Sequence, residues 1–182
     1  MFQLIIKTNI TMKNLKNLFL LMLAVSVVSL TSCSSDDDGG NGGSAASGTI
    51  KAKIDGSNFT SLEITSFASV QTGGGVTTLV MQGNTQDQAI NMIVNGYEGV
   101  GTYQLSDDNV FISASYIEPD ISNPANTQTW SAPFQDSGII GEIKISEETS
   151  SAVKGTFFFT AKNSNTGGTK EITEGSFNLN KM

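Results

Sequence analysis

A chain of 182 residues with 17 acidic and 10 basic side chains, a net charge of −7 and neither histidine nor arginine has a narrow chemistry open to it. It lacks the basic patch that nucleic-acid binding requires, the imidazole of a Ser-His-Asp triad or of a His-ligated zinc or copper site, and the guanidinium that clamps phosphate or carboxylate in two-pronged fashion. Its one cysteine, Cys33, excludes an intrachain disulfide.

The chain begins with a targeting pattern. Lys13 and Lys16 precede an apolar run over residues 18–30, and small residues follow it up to Cys33. This is the order of a secretory signal peptide. The run is about 13 residues, short of the roughly 20 that span a bilayer as a helix. Met12 is a second candidate start, because Met12, Lys13, Asn14, Leu15 and Lys16 make a complete basic n-region. Leu30, Thr31, Ser32 and Cys33 resemble the lipobox of bacterial lipoproteins. The resemblance implies a diacylglyceryl group on the Cys33 sulfur, removal of residues 1–32 as signal peptide, acylation of the new amine with a fatty acid such as palmitate, and membrane attachment through those chains. Each buried CH₂ contributes about 0.8 kcal/mol, so several chains anchor durably where one does not. Cleavage there removes Lys7, Lys13 and Lys16 and leaves the mature chain more acidic still.

Ser34, Ser35, Asp36, Asp37 and Asp38 resemble the export tract of Bacteroidota surface lipoproteins. That resemblance implies a protein of the outer membrane that faces the cell exterior. A run of like charges also reads as a solvated spacer, and the two readings are compatible. Residues 39–48 are rich in Gly and Ser and read as a flexible linker. With the acidic tract they form a tether of about 15 residues and roughly 20 Å reach.

Residues 49–182 read as a single β-domain, large enough to bury a core without staples. Their apolar period is two. Ile90, Met92 and Val94 alternate with polar residues, as do Val110, Ile112, Ala114 and Tyr116, then Ile139, Ile143 and Ile145, then Val153, Phe157, Phe159 and Ala161, and finally Phe177 and Leu179. Such alternation marks strands with one buried and one wet face. The separators carry turn chemistry, including Asp55 with Gly56, the Gly73, Gly74, Gly75 run, residues 106–109, 146–151 and 163–169. The pattern predicts an all-β fold, an antiparallel β-sandwich of nine or ten strands ending in a three-strand meander. The alternative is a closed or partly open up-and-down, calycin-like β-barrel. Residues 141–145, 154–161 and 172–177, with the turn at Ile54, Asp55 and Gly56, resemble the ending of uncharacterised lipoprotein domains common in Bacteroidota. This implies an all-β fold and brings no activity with it.

The longest irregular stretch is 118–138, which holds all three prolines and the only tryptophan. An exposed Trp130 with Phe134, Asp120 and Tyr116 nearby would form a stacking platform for a sugar ring. The competing reading folds Trp130 and Phe134 back as a plug on the sheet, where large aromatics usually go. Hard-cation chemistry is open to Asp107, Asp108 and Asn109 and to residues 84–87, but neither has the spacing of an EF-hand loop, so a solvated turn is the expected role and neither a Ca²⁺ site nor another cofactor is assigned. Catalysis is reduced to paired carboxylates, with Glu63, Glu98, Glu118, Glu142 and Glu174 available and no motif joining any two. The expectation is therefore not an enzyme. It is a lipid-anchored envelope protein whose β-domain binds glycan or another envelope protein. The alternatives are a structural or protein-interaction lipoprotein without a small ligand, and a carboxylate-based glycan hydrolase.

Overall fold

The computed structural model describes residues 43–182. The lipobox with Cys33, the tract Ser34, Ser35, Asp36, Asp37, Asp38 and the first part of the Gly/Ser linker lie outside the described residues. Eleven strands follow in chain order: β1 (Thr49–Ile54), β2 (Ser57–Thr60), β3 (Phe67–Gly73), β4 (Val76–Asn84), β5 (Ala89–Asn95), β6 (Gly101–Ser106), β7 (Ile112–Glu118), β8 (Gln128–Ala132), β9 (Ile139–Glu148), β10 (Ala152–Lys162) and β11 (Thr169–Asn180). Single 3₁₀ turns sit at Glu63–Thr65 and Pro124–Asn126.

The fold is all-β, a single curled antiparallel sheet that makes a half-barrel. Nine strands lie on one path, β2-β1-β11-β10-β8-β7-β5-β4-β3, and β9 and β6 branch from it. The branch starts on β10. Its first part, through Phe159, pairs with β9, while Lys162 at its far end pairs with Ser131 of β8. β9, β10 and β11 form the expected meander. The far edge curls back, because Ala68 of β3 bridges to Lys181 and the Met182 N–H donates to the Ala68 carbonyl at 3.0 Å.

One core fills the curl. Ile90, Met92, Val94, Ile112, Ala114, Tyr116, Ile143, Ile145, Val153, Phe157, Phe159, Ala161, Phe177 and Leu179 are all buried, as period two requires. Two residues assigned inward by that alternation point out. Val110 is 73% exposed because β7 begins only at Ile112, and Ile139 is 66% exposed where the β6–β9 register shifts at the strand end. Ile172 and Phe177 are five apart yet both buried. An irregularity in β11, where Glu174 has φ 50° and both neighbouring ladders slip, absorbs the odd residue.

The curl of the meander has a residue-level cause. Phe157 faces Gly175, Phe159 faces Gly141 and Phe177 faces Gly155 across adjacent strands. A Cβ at Gly155 or Gly175 would meet the facing ring, and one at Gly141 would meet the Phe159 Cβ and the Phe158 carbonyl. The β1–β2 hairpin turns on Asp55 (φ 49°) and Gly56 (φ 82°), the positive-φ pair that a tight hairpin favours. The packed chain also begins before residue 49. Ala45 is buried, and the Gly48 N–H donates to the Asn178 carbonyl at 2.7 Å, so the last linker residues lie on β11.

Candidate functional site

The stretch 118–138 is not a loop throughout, because Trp130 lies in the middle of β8, in register with Tyr116 of β7. Trp130 is 8% exposed and Tyr116 is fully buried, with ring centroids 5.5 Å apart. The stacking platform drawn from the sequence is thus corrected: both rings belong to the core, and a sugar cannot lie on them. Asp120 does not join them. Its Oδ1 accepts from the Ser122 and Asn123 N–H groups and the Ser122 hydroxyl, which pins the turn and holds its carboxyl below the usual range, the Ser122 hydroxyl first among the causes. Phe134 is half-buried, with Lys162 Nζ 5.4 Å from its centroid.

Two Tyr–Glu–Lys groups occupy different parts of the sheet. In one, the Tyr116 hydroxyl donates to Glu118 Oε1 at 2.9 Å, and Lys170 Nζ lies 3.0 Å from Asp55 Oδ2, 3.8 Å from Glu118 Oε1 and 5.3 Å from the Trp130 centroid. In the other, the Tyr97 hydroxyl donates to Glu148 Oε2 at 2.8 Å and Lys181 Nζ donates to Glu148 Oε1 at 2.8 Å. Burial first, and the carboxylate second, pushes both tyrosines well above their ordinary range. The Lys181 ammonium holds the Glu148 carboxyl low, with the Tyr97 hydroxyl adding to it. Asp55 is held low chiefly by the Glu171 N–H and then by Lys170, whose own affinity for its proton rises through Asp55.

The acidic turns are held by internal hydrogen bonds. The Asp108 N–H donates to Ser106 Oγ, Asn109 Oδ1 accepts from the Phe111 N–H, and Asp87 Oδ1 accepts from the Thr85 hydroxyl. Among the described residues, no three Asp, Glu, Cys or His side chains converge as metal ligands.

A concavity among the described residues lies elsewhere. A cleft of about 750 Å³ runs between β6 and the junction of β5 with β7. Thr102, Tyr103 and Gln104 line one side, and Asn95 and Phe111 the other. Tyr103 is fixed at one wall: its hydroxyl donates to the Gly99 carbonyl at 2.8 Å and accepts from the Glu98 N–H at 3.1 Å, and its ring lies 5.7 Å from that of Tyr97. Asn95 is fixed on the other, with Oδ1 accepting from the Thr78 hydroxyl and Nδ2 donating to the Phe111 carbonyl. Val76 and Phe111 leave apolar surface at the cleft, Phe111 being 65% exposed. No lining residue is charged. The arrangement offers amides, hydroxyls, two aromatic rings and strand backbone, which suits binding and supplies no nucleophile–base pair.

Sequence reasoning missed this cleft. Residues 99–105 do carry a faint signal, since they hold neither charge nor proline. That β6 has one partner strand is set by the fork at β10, to which periodicity is blind. The chain matches no curated protein and no solved structure. A model of a domain of unknown function, DUF6252, matches residues 46–179. That span covers well over half of the 182 residues, and the chain therefore belongs to the DUF6252 family.

Proposed function

We propose that this protein is a lipoprotein of the outer membrane, anchored through Cys33 and displayed outward, whose β-domain binds another envelope protein at the β6 cleft. The lipobox resemblance supports the anchor and the tract Ser34 to Asp38 supports the display. The observation that carries the binding role is the uncharged cleft of about 750 Å³ with exposed Phe111 and Val76 at its sides. Apolar surface at a concavity on an otherwise acidic chain is what a partner would cover. The glycan reading loses its support with the burial of Trp130 and Tyr116. The hydrolase reading finds no support at the cleft, which no carboxylate lines.

The test uses the full chain in its own cells. Metabolic labelling with a palmitate analogue is expected to mark the wild type and not Cys33→Ala, and protease added to intact cells is expected to degrade the domain. A photo-crosslinking amino acid at position 111 is expected to capture one envelope protein that the same group at position 171 does not. Absence of the label, protection from protease, or identical capture at the two positions each refutes the corresponding part.

A further inference from the structure

We infer that β6 accepts an extended polypeptide segment with basic ends as an added strand, filling the cleft beside it. This rests on the partner-binding reading above and names the form the partner takes.

The first observation is geometric. Successive side chains on a strand point to opposite faces. A cavity on one face of β6 would touch Tyr103 or its two neighbours, but not all three. Thr102, Tyr103 and Gln104 all line this cleft, so it runs along the edge of the strand. Among the described residues that edge is unpaired, since β6 is in register with β9 alone. β6 and β7 are consecutive, and a bridge from Ser106 to Asn109 closes their turn, yet they form no ladder beyond it.

The second observation is the lack of protection. Exposed edges are normally blunted by brevity, charge, proline or cover. β2 has four residues, and β3 is bridged at Ala68 by Lys181. β6 has six residues, Gly-Thr-Tyr-Gln-Leu-Ser, with no charge and no proline. An unblunted edge with apolar surface beside it is a template for strand addition, in which backbone hydrogen bonds give affinity and alternate pockets select side chains. One face of the added strand would meet Tyr103 and Ile112, and the other Thr102 and Gln104.

The third observation chooses the occupant. Glu98 precedes β6, and Asp107 with Asp108 follows it. A second copy pairing antiparallel through the same edge would set its Asp107 and Asp108 against Glu98 of the first, twice over, in a chain of net charge −7. A segment with lysine or arginine at both ends meets attraction at those points instead.

The experiment titrates the mature lipidated protein in detergent with a labelled nine-residue peptide, alternating valine and threonine, with two lysines at each end. Two control peptides replace the lysines by glutamates or the central threonine by proline. The expected result is saturable binding of the basic peptide, weakened by salt, with neither control bound. Affinity should fall about tenfold or more in Thr102→Lys/Gln104→Lys, whose side chains are exposed so that the fold should tolerate the change; an unchanged melting midpoint verifies this. Binding that ignores the double substitution, equal binding of the glutamate peptide, or no binding at all would overturn the inference. So would a wild-type dimer in sedimentation that the double substitution dissociates, which would give the edge to a second copy. Position-111 capture separates the two levels. If capture persists in the double variant, strand addition is wrong and the partner-binding cleft stands. If position 111 captures nothing in the wild type, the partner reading itself fails.

Discussion

Lys170 ties together side chains from three other parts of the chain. It neutralises Asp55 in the β1–β2 turn and Glu118 at the end of β7, and it covers the ring of Trp130 on β8. The ring in turn lies against Tyr116 in the core. Trp130 therefore holds the junction of β7 and β8 together rather than offering a surface. Trp130→Ala should cost about 3–5 kcal/mol in urea unfolding, with Trp130→Phe losing less because it keeps an aromatic ring against Tyr116. A loss below about 1 kcal/mol would mean that the ring is not packed as described.

At the scale of elements, the meander depends on three phenylalanine–glycine pairs. A methyl group at Gly155 would meet the Lys144 carbonyl and the Phe177 ring together, and the carbonyl cannot rotate away without breaking the β9–β10 ladder. Gly155→Ala should destabilise by about 1–3 kcal/mol, lowering the melting midpoint by several degrees, whereas Gly73→Ala, with open space around it, should change it little. Equal effects at the two positions would refute this account of the curl. The stretch 118–138 makes the complementary point. Gln128–Ala132 is short and lies between Pro124 and Pro133, which from sequence looks like a loop. It becomes a strand because five of its residues pair with β7.

For the whole molecule, the missing histidines set the pH response. No side chain has an ordinary value between pH 5 and 8, and Tyr97 and Tyr116 are pushed further up. The melting midpoint should stay constant within about 2 °C between roughly pH 6 and 8. Acid is different. Because Glu148 is held low in the fold, chiefly by Lys181, its contribution is present above the unfolded carboxyl value near 4.3 and is lost as pH falls through the lower folded value. Glu148→Gln should be about 1–2 kcal/mol less stable than wild type at pH 7, and the two should converge below about pH 4. A gap that persists in acid would assign the loss to packing instead.

The amino-acid order alone determined the period of two, the inward set from Ile90 to Leu179, the positive-φ turn at Asp55 and Gly56, the closing meander and the chemistry that composition forbids. All of these follow from near neighbours in the chain, where alternation and turn preference act. Tertiary structure decided what depends on distant neighbours. It decided between platform and core for Trp130 in favour of core, drew Ala45 onto β11, left Val110 and Ile139 outside, and split the partners of β10 so that among the described residues β6 keeps an open edge. A strand's two faces are written in its own residues, but whether its edge is paired is set by where the rest of the sheet goes, and no local period records that.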